Sequence, residues 1–119
     1  MKDHLVALEC DMGPFKPLGF EITGGKNATE MVTKISSLLG SIGATKVVGD
    51  GGGADIDPMK SFGVPTMSPH VANEHYFWYH HARSDRMTAL NADDMDALSA
   101  SLAAFMYVVA DMDERFPRD

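Results

Sequence analysis

The sequence predicts an α/β fold, and two observations carry that prediction. Short apolar runs bounded by turn residues alternate with longer stretches in which apolar residues recur at helical spacing. Clusters of glycine, proline and acidic residues separate these stretches, so that strands and helices follow one another along the chain.

The first run, Leu5 to Leu8, lies between Asp3-His4 and Glu9, Asp11 and Gly13. Its length and flanks predict a buried strand, with Asp11 at or just past its C-terminal end. In open α/β sheets ligand sites gather at such ends. Residues 13–26 hold two prolines and several glycines and read as a loop, with a brief extended stretch at Phe20–Thr23. Asn27, with Glu30 three residues on, has the pattern of a capping box. Met31, Ile35, Leu38, Leu39 and Ile42 then mark one helical face, and Gly43 stops it. Thr45–Val48 predicts a second strand. Asp57-Pro58 predicts the start of a short helix that ends near Gly63. Val64–Met67 predicts a third strand, at an edge or beginning at Pro65. Residues 68–91 read as a long irregular segment rich in histidine and aromatics, and ordered loops of that length are often functional. Asn91 caps the last helix, with Asp93 and Asp94 in its first turn. Met95, Leu98, Leu102, Phe105, Met106, Val109 and Met112 form its core face, and the helix is expected to end near Arg115.

A chain of 119 residues suits one small domain or one piece of a larger one. Its net charge of −7 argues against a nucleic-acid backbone and against anionic membranes as partners. The single cysteine, Cys10, excludes an internal disulfide and reads as a small core residue. Leu5–Leu8 is too short for a signal-peptide core, and no run reaches the length of a membrane span. Localisation stays open.

Two kinds of side chain stand out for chemistry. Asp11, after a strand and before a glycine turn, is either a metal ligand or the cap of the next loop. His75, His80 and His81 lie in one aromatic segment, either as zinc ligands or as loop histidines packed on aromatics. Neighbours in an extended segment point to opposite sides, so His80 and His81 are not expected to share one ion. Asp85, four residues after His81, is placed to hold a ring N–H or to form a turn. The Gly51-Gly52-Gly53-Ala54-Asp55 run lacks the Lys-Ser/Thr ending of a phosphate loop. Its glycines are expected to let backbone approach a substrate or an adjacent strand. No Gly-x-Ser-x-Gly elbow is present, and nothing local would activate the Cys10 thiol.

Five blocks add a resemblance: Leu8 to Gly13, Gly53 to Ile56, Gly63 to Pro65, Tyr76 to His81 and Tyr107 to Met112. In order and spacing they resemble the carboxypeptidase Q (plasma glutamate carboxypeptidase-like) family over nearly the whole chain. The aromatic-His-His block and the closing Tyr-Val-Val-Ala-Asp-Met are the most specific. The resemblance implies a partial zinc-exopeptidase sheet with flanking helices, three or more strands and a long C-terminal helix. It implies a co-catalytic pair of zinc ions acting on dipeptides or peptide ends, with one water between the metals and an upstream glutamate as general base. By position, Asp11 corresponds to a terminal carboxylate ligand of one zinc and His81 to the imidazole ligand of the other. Asp55 falls in the loop that borders the substrate pocket. His80 stands where neighbouring families often have a tyrosine near the oxyanion, and Asp85 matches the acid that follows the histidine. Ala82 and Arg86 depart from the Ser/Thr and Thr common in relatives, which bears on the loop's hydrogen bonds more than on the ligand.

The family's first histidine ligand, bridging aspartate, catalytic glutamate and adjacent glutamate ligand all precede the strand that ends at Asp11. Here ten residues precede Asp11, so no catalytic residue is assigned. Glu9, on the same side of a strand as Asp11, is open to metal contact and does not match the base. Residues 1–119 are thus expected to be the C-terminal part of a di-zinc peptidase domain, truncated at the N-terminus and inactive alone. The alternatives are a chain that binds a partner or supplies a half-site to another chain, a homodimer among such arrangements, and an unrelated acidic α/β domain. The family implies a secreted, periplasmic or lysosomal parent, and carboxypeptidase, dipeptidase and aminopeptidase specificities all fit.

Overall fold

A four-stranded mixed sheet carries two long helices on one face. The structure, a computed structural model, describes residues 1–118. In chain order the elements are β1 (Ala7–Leu8), β2 (Pro17–Thr23), α1 (Lys26–Ser36), β3 (Lys46–Gly49), β4 (Thr66–Val71), α2 (Tyr76–Tyr79) and α3 (Ala92–Asp111). Three 3₁₀ turns, Ser37–Leu39, Asp57–Phe62 and Met87–Ala89, lie between them. The strand order is β1-β4-β2-β3. The outer pairs, β1 with β4 and β2 with β3, are parallel, and the central pair is antiparallel. The α/β class is as expected, with one strand more than the three read from the sequence.

That strand, β2, contains the extended stretch expected at Phe20–Thr23 and carries it back to Pro17, where the sequence was read as loop. Its proline and glycine have positional roles. Pro17 is the first residue of the strand, where proline is tolerated. Gly19 has φ 152° and lies so close to β3 that an added Cβ would sit 1.8 Å from the Lys46 carbonyl oxygen. The residues that follow alternate, Phe20 and Ile22 into the core and Glu21 away from it.

β4 also departs from expectation. It lies inside the sheet and runs on to Val71, so Ser68 to Val71 are strand and not loop. An interior strand containing Pro69 needs a reason. The carbonyls of Pro65 and Met67 each accept a hydrogen bond from the β1 side, from the N–H of Ala7 and of Glu9, both at 3.0 Å. Alternate residues of a strand face the same neighbour. Pro69 therefore faces the β1 side beyond the end of β1, where no ladder bond calls for its missing N–H.

α1 starts at Lys26 with Gly25 at its N-cap, two residues before the expected cap Asn27. Glu30 pairs with Lys26 at 3.6 Å. Met31, Ile35 and Leu39 point inward as the periodicity required, joined by Val32, whereas Leu38, placed on the same face from the sequence, is 67 % exposed because it lies past the end of α1 in a 3₁₀ turn. α3 opens as read: Asn91 Oδ1 accepts the N–H of Asp94 at 3.0 Å. Leu98, Phe105 and Val109 are buried, whereas Met106, placed on the core face from the sequence, is 41 % exposed. The helix ends at Asp111, earlier than Arg115, and the chain runs on to bury Phe116. Both helices pack on the sheet face that carries Phe20, Ile22 and Met67, with the Phe20 and Phe105 rings 4.4 Å apart. Loss of the α3 cap in Asn91→Ala is expected to cost about 1 kcal/mol, read as a lower urea midpoint at unchanged slope.

Candidate functional site

Because β1 and β4 run parallel, the segments that follow them leave the sheet at the same end. Asp11 comes three residues after β1, and α2 opens five residues after β4. A cavity of about 370 Å³ forms between these segments, lined by Asp11, Tyr76, His80, His81 and Asp85 among others. The topology thus brings Asp11, His80, His81 and Asp85 to one cavity, which His75 and Asp55 do not line.

The imidazoles are arranged by the local backbone. After the single helical turn of α2, His81 adopts φ 57°, a left-handed conformation that histidine tolerates better than most residues. The chain turns there, and the Ala82 N–H donates to Tyr79 O at 2.8 Å. This corrects the extended reading. His80 and His81 do not point to opposite sides; their rings stack, 3.9 Å between centroids, and both line the cavity. Stacked rings hold their nitrogen lone pairs in separate planes, so sharing a wall does not make them ligands of one ion. His80 Nδ1 is hydrogen-bonded to the Tyr76 hydroxyl at 2.9 Å, which fixes that ring. Asp85 forms the turn, its backbone N–H donating to Ala82 O at 3.1 Å.

Asp11 is also one wall of a second cavity, of about 250 Å³, bounded by Glu9, Glu21, Ser68 and the glycine run. This cavity lies on the sheet face away from the helices. Glu21 and Ser68 are register partners there. The Ser68 hydroxyl donates to Glu21 Oε2 at 3.0 Å, and His70 Nδ1 is 2.9 Å from Glu21 Oε1. The sequence reading missed this network, since it gave Phe20–Thr23 no strand partner and ended the third strand at Met67. The alternation of Glu21 with Phe20 and Ile22 was the signal available.

The glycine run crosses that polar face from β3 toward β1. Thr66 Oγ1 donates to Gly51 O at 3.0 Å, and the Gly52 N–H donates to Ser68 Oγ at 3.3 Å. Gly52, Gly53 and Ala54 line the second cavity; Asp55 does not, and contributes its backbone N–H to Glu9. The Asp57 carboxyl, 2.8 Å from Lys60, is held below its ordinary range chiefly by that hydrogen bond.

Cys10, read as a core residue, is exposed and lines the second cavity. Its side chain follows a strand of two residues that ends at Leu8, so nothing carries it into the core. Partial desolvation at the cavity wall, and then the neighbouring Asp11 carboxylate, push its thiol above the usual range. The thiolate is the nucleophile. Cys10 is therefore expected to alkylate more slowly with iodoacetamide near pH 8 than a free cysteine. The gap should close as the pH rises through the raised pKa. A rate equal to free cysteine across that range would contradict this.

Two donors of the kind zinc prefers, a carboxylate and an imidazole, face one cavity. Catalytic zinc takes three protein ligands and structural zinc four. Among the described residues no group of three or more His, Cys, Asp or Glu side chains is placed to hold a metal. Among the described residues these two donors do not by themselves complete a zinc site.

Carboxypeptidase Q of Rattus norvegicus is 38% identical over 115 residues, 97% of this chain and 24% of that protein. The Homo sapiens protein is 35% identical over 118 residues, 99% of this chain and 25% of that protein. The chain is homologous to carboxypeptidase Q. It spans about a quarter of the length of the carboxypeptidase Q relatives that it matches. A crystal structure of a peptidase M28 precursor from Shewanella amazonensis SB2B superposes with a TM-score of 0.87 at 23% identity. That alignment covers 98% of this chain and 26% of the other, and shows a shared fold. No protein-family model matches the chain. No helix among the described residues is long and apolar enough to cross a membrane.

Proposed function

We propose that this chain is the C-terminal part of the catalytic domain of a carboxypeptidase Q-type exopeptidase, and that it presents Asp11 and His81 to a two-zinc centre. The observation that carries this reading is the convergence of both side chains on one cavity of about 370 Å³. When bound, zinc would polarise the scissile carbonyl and lower the pKa of a bound water. The chain's own residues have narrower tasks. Asp11 offers an anionic oxygen and His81 a neutral imidazole nitrogen. Tyr76 fixes the neighbouring His80 ring, and the stack of His80 on His81 limits how the ligand ring turns. The general base is assigned to a glutamate outside this segment, because Glu9 accepts two backbone N–H groups.

In this reading the substrates are dipeptides or peptide ends, and the parent is secreted, periplasmic or lysosomal. The open outer edge of β1 favours a second arrangement, in which another chain, a copy of this one included, completes the sheet and the centre. A chimera tests the proposal. This chain replaces the matched quarter of the rat carboxypeptidase Q, and zinc-dependent dipeptide hydrolysis is measured. Turnover that depends on Asp11 and His81 is the expected result. A folded, zinc-loaded chimera whose turnover survives the loss of either would refute it.

A further inference from the structure

The glycine run has the character of an anion-binding loop, and its anion is already present in the chain. Consecutive backbone N–H groups that point inward form a concavity suited to a negative oxygen. The N–H groups of Asp55 and Ile56 converge on one atom, Glu9 Oε2, at 3.0 and 3.2 Å. Glu9 is half-buried just after β1, forty-six residues away in sequence from the nearer of these amides. The fit is close on the other side as well. A Cβ added at Gly53 would lie 2.1 Å from Glu9 Cδ and 2.2 and 2.4 Å from its two oxygens. Gly53 has no left-handed φ, so what a side chain there would meet is the Glu9 carboxylate, which would have to leave its place on the Asp55 and Ile56 amides.

We infer that Glu9 is a positioning residue whose carboxylate fills the nest at Asp55–Ile56 and clamps the glycine loop as the cavity wall beside Asp11. The loop is thereby closed to external phosphate or carboxylate groups for as long as Glu9 occupies it. The importance of the wall to a bound peptide rests on the function proposed above; the clamp itself does not.

The test uses the full chain without metal or peptide. Native-state hydrogen exchange at the Asp55 and Ile56 amides is compared in wild type, Glu9→Ala and Glu9→Gln, with α3 amides as reference. Exchange at both sites is expected to speed up at least tenfold in Glu9→Ala, and to recover in part in Glu9→Gln, which keeps one acceptor oxygen. Added acetate should restore protection in Glu9→Ala, against chloride at equal ionic strength, and do nothing to wild type. A steric cycle covers the case in which Glu9→Ala folds poorly. Gly53→Ala should lower the melting temperature in wild type and lower it far less in the Glu9→Gly background. Unchanged exchange in a folded Glu9→Ala, no effect of acetate, or additive Gly53 and Glu9 effects would each overturn the inference. None of these outcomes touches Asp11 or His81, so the clamp and the metal-site reading fail separately.

Discussion

Gly19→Ala is expected to be among the most destabilising single-methyl additions in the chain, by roughly 3–5 kcal/mol. Two effects add. The residue sits at φ 152°, a conformation in which L side chains are strained, and the new methyl would overlap the Lys46 carbonyl at 1.8 Å. β2 is a central strand that pairs with both β3 and β4, so relief requires β3 to move off its partner. Whole-domain stability is typically about 5–15 kcal/mol, and a loss of this size would leave a marginal fold. Urea denaturation monitored by circular dichroism checks it. A loss under about 1 kcal/mol would mean that β3 shifts freely and that the sheet register is softer than described.

The second large effect concerns the proposed ligands. In the chimera with rat carboxypeptidase Q, Asp11→Ala and His81→Ala should each lower kcat/KM by more than about a hundredfold. Loss of a hydrogen-bonding partner behind a metal ligand typically costs about 10–100-fold, so a larger effect separates a ligand from a supporting residue. Asp85→Ala should fall in or below that lower range, since Asp85 shares the cavity and is seen forming a turn. Equal effects at Asp85 and His81 would place both residues in the same supporting role and would remove the case for His81 as a ligand.

Much of this arrangement was legible in the sequence because it rests on local rules. The Asn91 cap, the Met31, Ile35 and Leu39 positions of the first helical face and the strand before Asp11 all follow from short-range patterns, and all are present. The errors fell where tertiary contacts outweigh local ones. Pro17 and Gly19 look like loop residues until β3 is seen packed against the glycine. Pro69 looks incompatible with an interior strand until β1 is seen to stop short of it. The His80–His81 stack depends on a left-handed residue that no periodicity announces. The task of Glu9 depends on a contact across 46 residues of sequence. The blocks that resemble carboxypeptidase Q held most of the information about Asp11 and His81. The parallel pairing of β1 and β4 explains why two residues so far apart in sequence line one cavity.

The most direct measurement is a zinc titration of the full chain followed by NMR at the histidine rings and at the amides around Asp11. The proposed half-site predicts weak binding in which the His81 ring and the Asp11 region respond together, and in which Asp11→Ala abolishes the His81 response. A response centred on His70 or His75, or a His81 response that Asp11→Ala leaves unchanged, would contradict the claim that these two side chains belong to one metal centre.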